Sequence, residues 1–329
     1  MAFKSVCVLV GALTSVVPLA AGAASAANFP TRPIRLILPV GPGGGQDTTA
    51  RAMNQKLTED LGQSVIIDPR PGGGGNIAAL LASRATPDGY TLLNISTTAV
   101  TTPLVYEAPY DLQRDFTAVS QLVSNPYLLV ATPALPARSV GELIVYAKAN
   151  PDKLAFASAG SGSLTHLGLE ILKIQTGISM THVPYKGMGP TAPDLMSGRV
   201  HLGLWSIVSA QPHGRAGRLK ALAVSSAERA RAAPEVPTIA ESGVPGFAVT
   251  QWYGVVAPLR TPQPIVDRLA RAMSTSIRDP EVAARVAHDG TEPVDSSPQA
   301  FTAHLKAEHA KWSRIVQQAG MRNQVQEAR

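Results

Sequence analysis

Apolar positions along the chain alternate between two rhythms. Ile34–Leu38 is a short run that reads as a strand, and a turn at residues 39–45 follows it. A helical spacing comes next, with Ala50, Met53, Leu57 and Leu61 on one face and Gly62 closing it. Asp47, just ahead of that stripe, is the expected N-cap. Residues 65–67 predict a second strand, 71–75 a flexible loop and 90–95 a third strand, with a Ser96-Thr97-Thr98 turn after it. Strand, helix and strand in this order predict a parallel sheet covered by helices.

The rhythm restarts in mid-chain. Residues 139–150 predict a helix and 154–157 a strand, and Ser158-Ala159-Gly160-Ser161-Gly162-Ser163 is a turn of small residues. Leu164, Leu167, Ile171 and Ile174 form a helical stripe that Gly177 ends. Strands are expected at 180–183, 201–205 and 219–224, with a helix over 190–197 between the first two. Two similar units in succession predict two related α/β domains, without a strict repeat. The last third begins with a strand at 249–256 and is then mainly helical. Ile265, Leu269, Met273 and Ile277 recur every four residues, and Asp279-Pro280-Glu281 reads as the N-cap, N1 and N2 of the next helix. Phe301, Leu305, Trp312 and Ile315 mark a long terminal helix. This order fits a first domain of residues 27–125 with 250–329 and a second of 126–249, the chain crossing near 122–128 and 249–252.

Composition then removes classes. The 329 residues are 45% apolar and 16% charged, which sets the chain apart from disordered sequences. Net charge is +6, but it is dispersed, and seven Tyr and six Phe give few rings for stacking bases. Nucleic acid is not expected as a partner, whereas a mildly basic balance suits capture of small anions. At the N-terminus, Lys4 precedes an uncharged stretch and Ala24-Ser25-Ala26 supplies a small-residue cleavage pattern. Residues 1–26 therefore read as an export signal rather than a retained anchor. Cleavage would remove Cys7, the single cysteine, and with it any thiolate metal site or redox motif. An exported, soluble protein is expected.

Two loops carry candidate binding chemistry. Gly41-Pro42-Gly43-Gly44-Gly45 opens directly into a helix, where unpaired N–H groups and the positive end of the dipole favour an anion. The Walker lysine is missing and Gln46 stands where a third dinucleotide-fold glycine belongs, so nucleotides are not indicated. The 158–163 turn lies in the same setting and adds hydroxyls. Two such loops in two domains suggest a carboxylate held in a cleft between the domains, at the C-terminal ends of the strands. Turn chemistry that simply requires glycine is the alternative for either loop.

Catalytic patterns are poor by comparison. Ser161 or Ser163 beside His166 lacks a G-x-S-x-G elbow and a placed acid, and His166 is expected in a first helical turn lining the loop. His304, Glu308 and His309 are spaced one residue beyond the inverted zincin pattern and read as a solvated helix face. His182 and His201 fall in strand-like runs as core or cleft histidines. No catalytic residue, metal or cofactor is expected.

Longer segments add a resemblance. They include Pro39-Val40-Gly41-Pro42-Gly43-Gly44-Gly45-Gln46-Asp47, Arg70-Pro71-Gly72-Gly73-Gly74-Gly75-Asn76, Pro87-Asp88-Gly89-Tyr90-Thr91-Leu92 and His182-Val183-Pro184-Tyr185-Lys186-Gly187. In this order the mature chain resembles the Bug family, the periplasmic solute-binding receptors of tripartite tricarboxylate transporters. The resemblance implies a type II periplasmic-binding-protein fold, with two α/β domains joined by two crossover strands around a ligand cleft. It implies a periplasmic location and a ligand carboxylate held partly through ordered waters. Val40, Gly41, Gly44, Gly45 and Asp47 would contribute from the first loop, and Ser158, Ala159, Ser161, Ser163 and His166 from the second. Thr97 and Thr98 match another ligand-facing segment.

Departures from the family pattern bear on the ligand. His201 and Ser206 stand where acids are usual, Val40 replaces Phe, and Gly41-Pro42 replaces Pro-Ala. With a neutral Ser206, a flat Trp205 beside it and Asp47 engaged as a cap, the expected ligand is a small carboxylate without a free ammonium, carrying an apolar or aromatic body. The expected partners are the membrane subunits of a tripartite transporter. A sensor subunit reporting the carboxylate through a partner's domain, and an exported serine hydrolase using Ser161 or Ser163, are the alternatives.

Overall fold

A computed structural model describes residues 28–320 apart from Gly44, Lys186, His288 and Asp289. The export signal, with Cys7, and Gly44 of the first loop lie outside the described residues. The chain begins with β1 (Ile34–Leu38), α1 (Gly45–Leu61), β2 (Val65–Pro69), α2 (Asn76–Ser83) and β3 (Thr91–Ser96). β1 lies between β2 and β3 and pairs parallel with both. The expected stripe of α1 is buried at Ala50, Met53, Leu57 and Leu61. Next come α3 (Thr97–Val105), the single turn α4 (Leu112–Asp115) and the 16-residue β4 (Phe116–Ala131). Helix α3 replaces the turn expected after β3. Its threonines and Pro103 are poor helix formers, and burial of Thr97, Val100, Thr101 and Val105 overrides that preference.

The second lobe is built by α5 (Val140–Ala149), β5 (Ala155–Ser158), α6 (Leu164–Thr176), β6 (Thr181–Pro184), α7 (Ala192–Ser197), β7 (Leu202–Ser206), α8 (Ile207–Arg215) and β8 (Lys220–Val224). β5 pairs parallel with β6 and β7. The chain then returns through β9 (Thr250–Pro258) and ends in α9 (Gln263–Arg278), α10 (Pro280–Ala287), β10 (Glu292–Pro293) and α11 (Pro298–Gln318). Ile265, Leu269, Met273 and Ile277 are buried along α9. Asp279 caps α10 by accepting from the Glu281 and Val282 N–H groups.

Strand order is β2-β1-β3-β9-β4-β7-β5-β6, with β8 and β10 also on β4. Two antiparallel strands thus carry the chain between the lobes. β4 pairs with β9 from Phe116 to Pro126, and from Tyr127 onward its partners are β7 and β8. Ser225, fully buried, sits at that exchange. Its hydroxyl donates to the Val249 carbonyl at 2.5 Å and accepts from the Tyr127 N–H at 3.0 Å. Its backbone bonds the same two residues, each at 2.8 Å.

Helix α11 is fastened to β9 by an acid. Glu308 is only 7% exposed, and its Oε2 accepts from the indole N–H of Trp252 at 3.1 Å and of Trp312 at 2.9 Å. Lys311 pairs with the other oxygen. Burial alone would raise the Glu308 pKa, but Lys311 and the two indoles outweigh it and hold the carboxyl below its usual range. The solvated face expected at His304, Glu308 and His309 is therefore corrected for the first two. His304 stacks on Phe301 and lies edge-on to Trp252, on the stripe of α11 that meets the crossover strand. Among the described residues, no group of acids, histidines and cysteines is placed to hold a metal ion, and no helix is long and apolar enough to cross a membrane.

Candidate functional site

The C-terminal ends of β1, β2 and β3 meet at one edge of the first lobe, where a cavity of about 290 Å³ opens. Pro39, Val40, Gly72, Gly75, Ser96 and Thr98 line its loop side. Ala79, Leu93, Ile95, Tyr110 and Leu112 give it apolar walls, and Gln46 and Asn94 are its buried amides. Gly72 to Gly75 all have positive φ, from 57° to 125°. Only glycine holds that conformation without strain, and the run brings bare backbone to the cavity.

The first loop is braced differently from the expected capping. Helix α1 begins at Gly45, two residues before Asp47, so Asp47 sits inside the first turn and folds back. Its Oδ2 accepts from the Gly43 N–H at 2.9 Å, and both oxygens accept from Arg51 Nε at 2.9 Å. The Arg51 guanidinium, against the cost of burial and helped by Gly43, holds the carboxyl below its usual range. Gly45 is required for space, because a Cβ there would lie 2.5 Å from the Tyr253 hydroxyl of β9. Tyr127 of β4 lies close to Tyr253; burial and that neighbour raise its phenol pKa. Gly41 is half-exposed with open space around it.

The second loop uses most of its donors on itself. Ala159 N–H donates to Thr165 Oγ1, Gly160 N–H to Ser158 Oγ, and Gly162 N–H to His166 Nδ1, at 2.9 to 3.1 Å. Ser163 caps α6 by accepting from the His166 N–H. Among the described residues, the N–H groups of Ser161, Leu164 and Thr165 have no protein acceptor. Ser161 is exposed, and its carbonyl accepts from the Tyr106 hydroxyl at 3.3 Å, so the end of α3 touches the second lobe's loop.

Beneath this loop His166 and His182 stack with ring centroids 3.7 Å apart, and His182 Nε2 lies 2.7 Å from Ser158 Oγ. Burial, then Lys173, pushes the His166 pKa down to about 4; burial, then His166, pushes His182 to about 4. Between pH 6.5 and 4 the unfolded chain binds protons that the folded rings refuse, so stability falls as pH drops through that window and levels off below it. The loss attributable to His166 should be on the order of 3 kcal/mol at about 1.4 kcal/mol per unit. Thermal unfolding across this range checks it: the drop should shrink in His166→Gln, and an equal drop in both proteins would overturn the assignment.

Of the other expected residues, Val40 and Thr98 line the cavity, but Thr97 does not. Its hydroxyl is fully buried, donating to the Thr250 carbonyl and accepting from the Trp252 N–H at 3.3 Å each. Trp205 is likewise not among the residues lining this cavity. It is 4% exposed, on the face of β7 that packs among Leu195, Ile207 and Ala210, and it meets His213 edge-on. Ser206 caps α8 by accepting from the Ser209 N–H. Residues that sequence reasoning passed over are Gln46, Asn94, Tyr106 and Tyr253. One polar residue inside the apolar run Leu92-Leu93-Asn94-Ile95 was a readable signal; the other three become visible only through contacts distant in sequence.

A family profile described as "Tripartite tricarboxylate transporter family receptor" matches residues 49–321. BugT of Bordetella pertussis is 36% identical, over 90% of this chain and 92% of that protein. An R. palustris protein solved with adipate is 38% identical with a TM-score of 0.75, covering 90% of this chain and all of the other. MatC from Rhodopseudomonas palustris, solved with bound malate, is 33% identical with a TM-score of 0.71, over 88% of this chain and all of that one. The fold is that of the two-lobed periplasmic binding proteins, with β4 and β9 as the crossovers. The chain belongs to the tripartite tricarboxylate transporter receptor family, a family of solute receptors and not of enzymes.

Proposed function

We propose that this receptor captures a small carboxylate lacking a free ammonium group, and delivers it from the periplasm to the membrane subunits of a tripartite transporter. In this reading residues 1–26 direct export, residues 27–125 with 250–329 form one lobe, and 126–249 form the other. The change of β4 partners between Pro126 and Tyr127 supports the division. The start of α1 and the edge of the 158–166 loop receive the carboxylate, as helix N-termini do for anions. The relatives solved with adipate and malate support the ligand class.

One observation carries the exclusion of an ammonium. Asp47 follows the cavity-lining Gln46, and its oxygens are already taken by Gly43 and Arg51. Among the described residues no aspartate or glutamate lines the cavity, and an ammonium buried without an anion is strongly penalised. A thermal-shift screen followed by calorimetry tests the reading. At a hundredfold excess over Kd a ligand stabilises by about 2.7 kcal/mol, a shift of several degrees for a chain of this size. Succinate- or benzoate-type acids should give it, and aspartate and glutamate should not. Tight binding of an α-amino acid, with no response to acids lacking the amine, would sink the proposal.

A further inference from the structure

We propose that Asn94 determines specificity in the first-lobe cavity by donating to a neutral acceptor, such as a carbonyl oxygen, at the far end of the ligand's apolar body. This rests on the receptor reading above and adds what the ligand must carry away from its carboxylate. Asn94 sits on β3 at 0% exposure and lines the cavity. Its Oδ1 accepts from Gln46 Nε2 at 2.7 Å, which fixes the amide. Its Nδ2, also buried, has no acceptor among the described residues. Native interiors rarely leave such a donor unpaired, and each case asks for a reason. A ligand oxygen arriving there relieves a desolvation penalty the empty protein already carries, so the bond counts for more than one exchanged with water.

The surroundings choose the kind of acceptor. Leu93, Ile95, Ala79, Tyr110 and Leu112 offer carbon surface, and among the described residues no lysine, arginine or histidine lines the cavity. A second carboxylate placed there would be desolvated without a counter-charge, whereas a carbonyl oxygen asks only for a donor. The 290 Å³ volume corresponds to about ten waters at roughly 30 Å³ each. That is room for a short chain or one ring, with the acceptor at its end.

The test uses the full mature receptor and three acids of matched chain length: hexanoate, 5-oxohexanoate and adipate. Calorimetry should show 5-oxohexanoate binding about tenfold tighter than hexanoate, and adipate no tighter than 5-oxohexanoate. In Asn94→Leu the gap between the first two should close. Because that variant changes a buried residue, the wild-type side-chain amide gives a second readout. The Asn94 NH₂ resonances should move downfield with 5-oxohexanoate and stay near their unliganded position with hexanoate. Equal affinities for the two in the wild type, a preference that survives Asn94→Leu, or tighter binding of adipate would each overturn the proposal while leaving the receptor reading intact. No binding of any carboxylate would overturn both.

Discussion

Replacing Glu308 with alanine should destabilise the protein by about 3–5 kcal/mol, the range for leaving buried charged or polar partners without their counterpart. The carboxylate satisfies two indole N–H groups, those of Trp252 and Trp312, that have been withdrawn from water. Both rings are fully buried, so neither can turn outward to recover a bond. Glu308→Gln keeps one acceptor oxygen and loses only the attraction to Lys311, and should fall well short of the alanine cost. Urea unfolding of the three proteins measures this directly. A loss under about 1 kcal/mol for the alanine variant would mean that water reaches the indoles.

The largest effect on binding is expected at Gly45. Its substitution by alanine puts a methyl 2.5 Å from the Tyr253 hydroxyl and 3.2 Å from the ring carbon that bears it. Tyr253 is held in β9 at 8% exposure, so the start of α1 must move instead. Overpacking of this kind costs roughly 1–3 kcal/mol, and about 1.4 kcal/mol already means tenfold in affinity. The melting temperature should fall accordingly, and carboxylate affinity should drop about tenfold if the displaced α1 start loses about 1.4 kcal/mol of ligand contact. Adding Tyr253→Phe to Gly45→Ala removes the clashing oxygen and should recover part of the loss. Unchanged affinity in the single variant would show that the α1 N-terminus does not touch ligand.

Much of the layer structure was legible because burial imposes a period. The stripes at Ala50, Met53, Leu57 and Leu61 and at Ile265, Leu269, Met273 and Ile277 are buried as their spacing requires. Where period and propensity disagree the reading failed, as in the threonine-rich α3. Alternation also says which residues share a face of a strand without saying what that face meets. Trp205, beside Ser206 at the end of β7, lies in a core cluster with Leu195, Ile207 and Ala210. The polar details of the site were least legible. Gln46 and Asn94 are 48 positions apart, and Tyr253 reaches Gly45 from the far end of the chain. Local composition carries no trace of such pairs. Asp47 was expected to be occupied and is, but by Gly43 and Arg51, since α1 starts earlier than the capping rule placed it.

Ser225 gives the molecule a mechanical property. Two strands that pass between lobes could each flex on their own, allowing the lobes to twist and slide as well as to hinge. With one buried side chain and its backbone holding Tyr127 and Val249 together, the strands bend as one ribbon where β4 changes partners. The soft direction of a ribbon is across its width. Any hinge between the lobes at this point would therefore have a single soft angle, the bend across the ribbon.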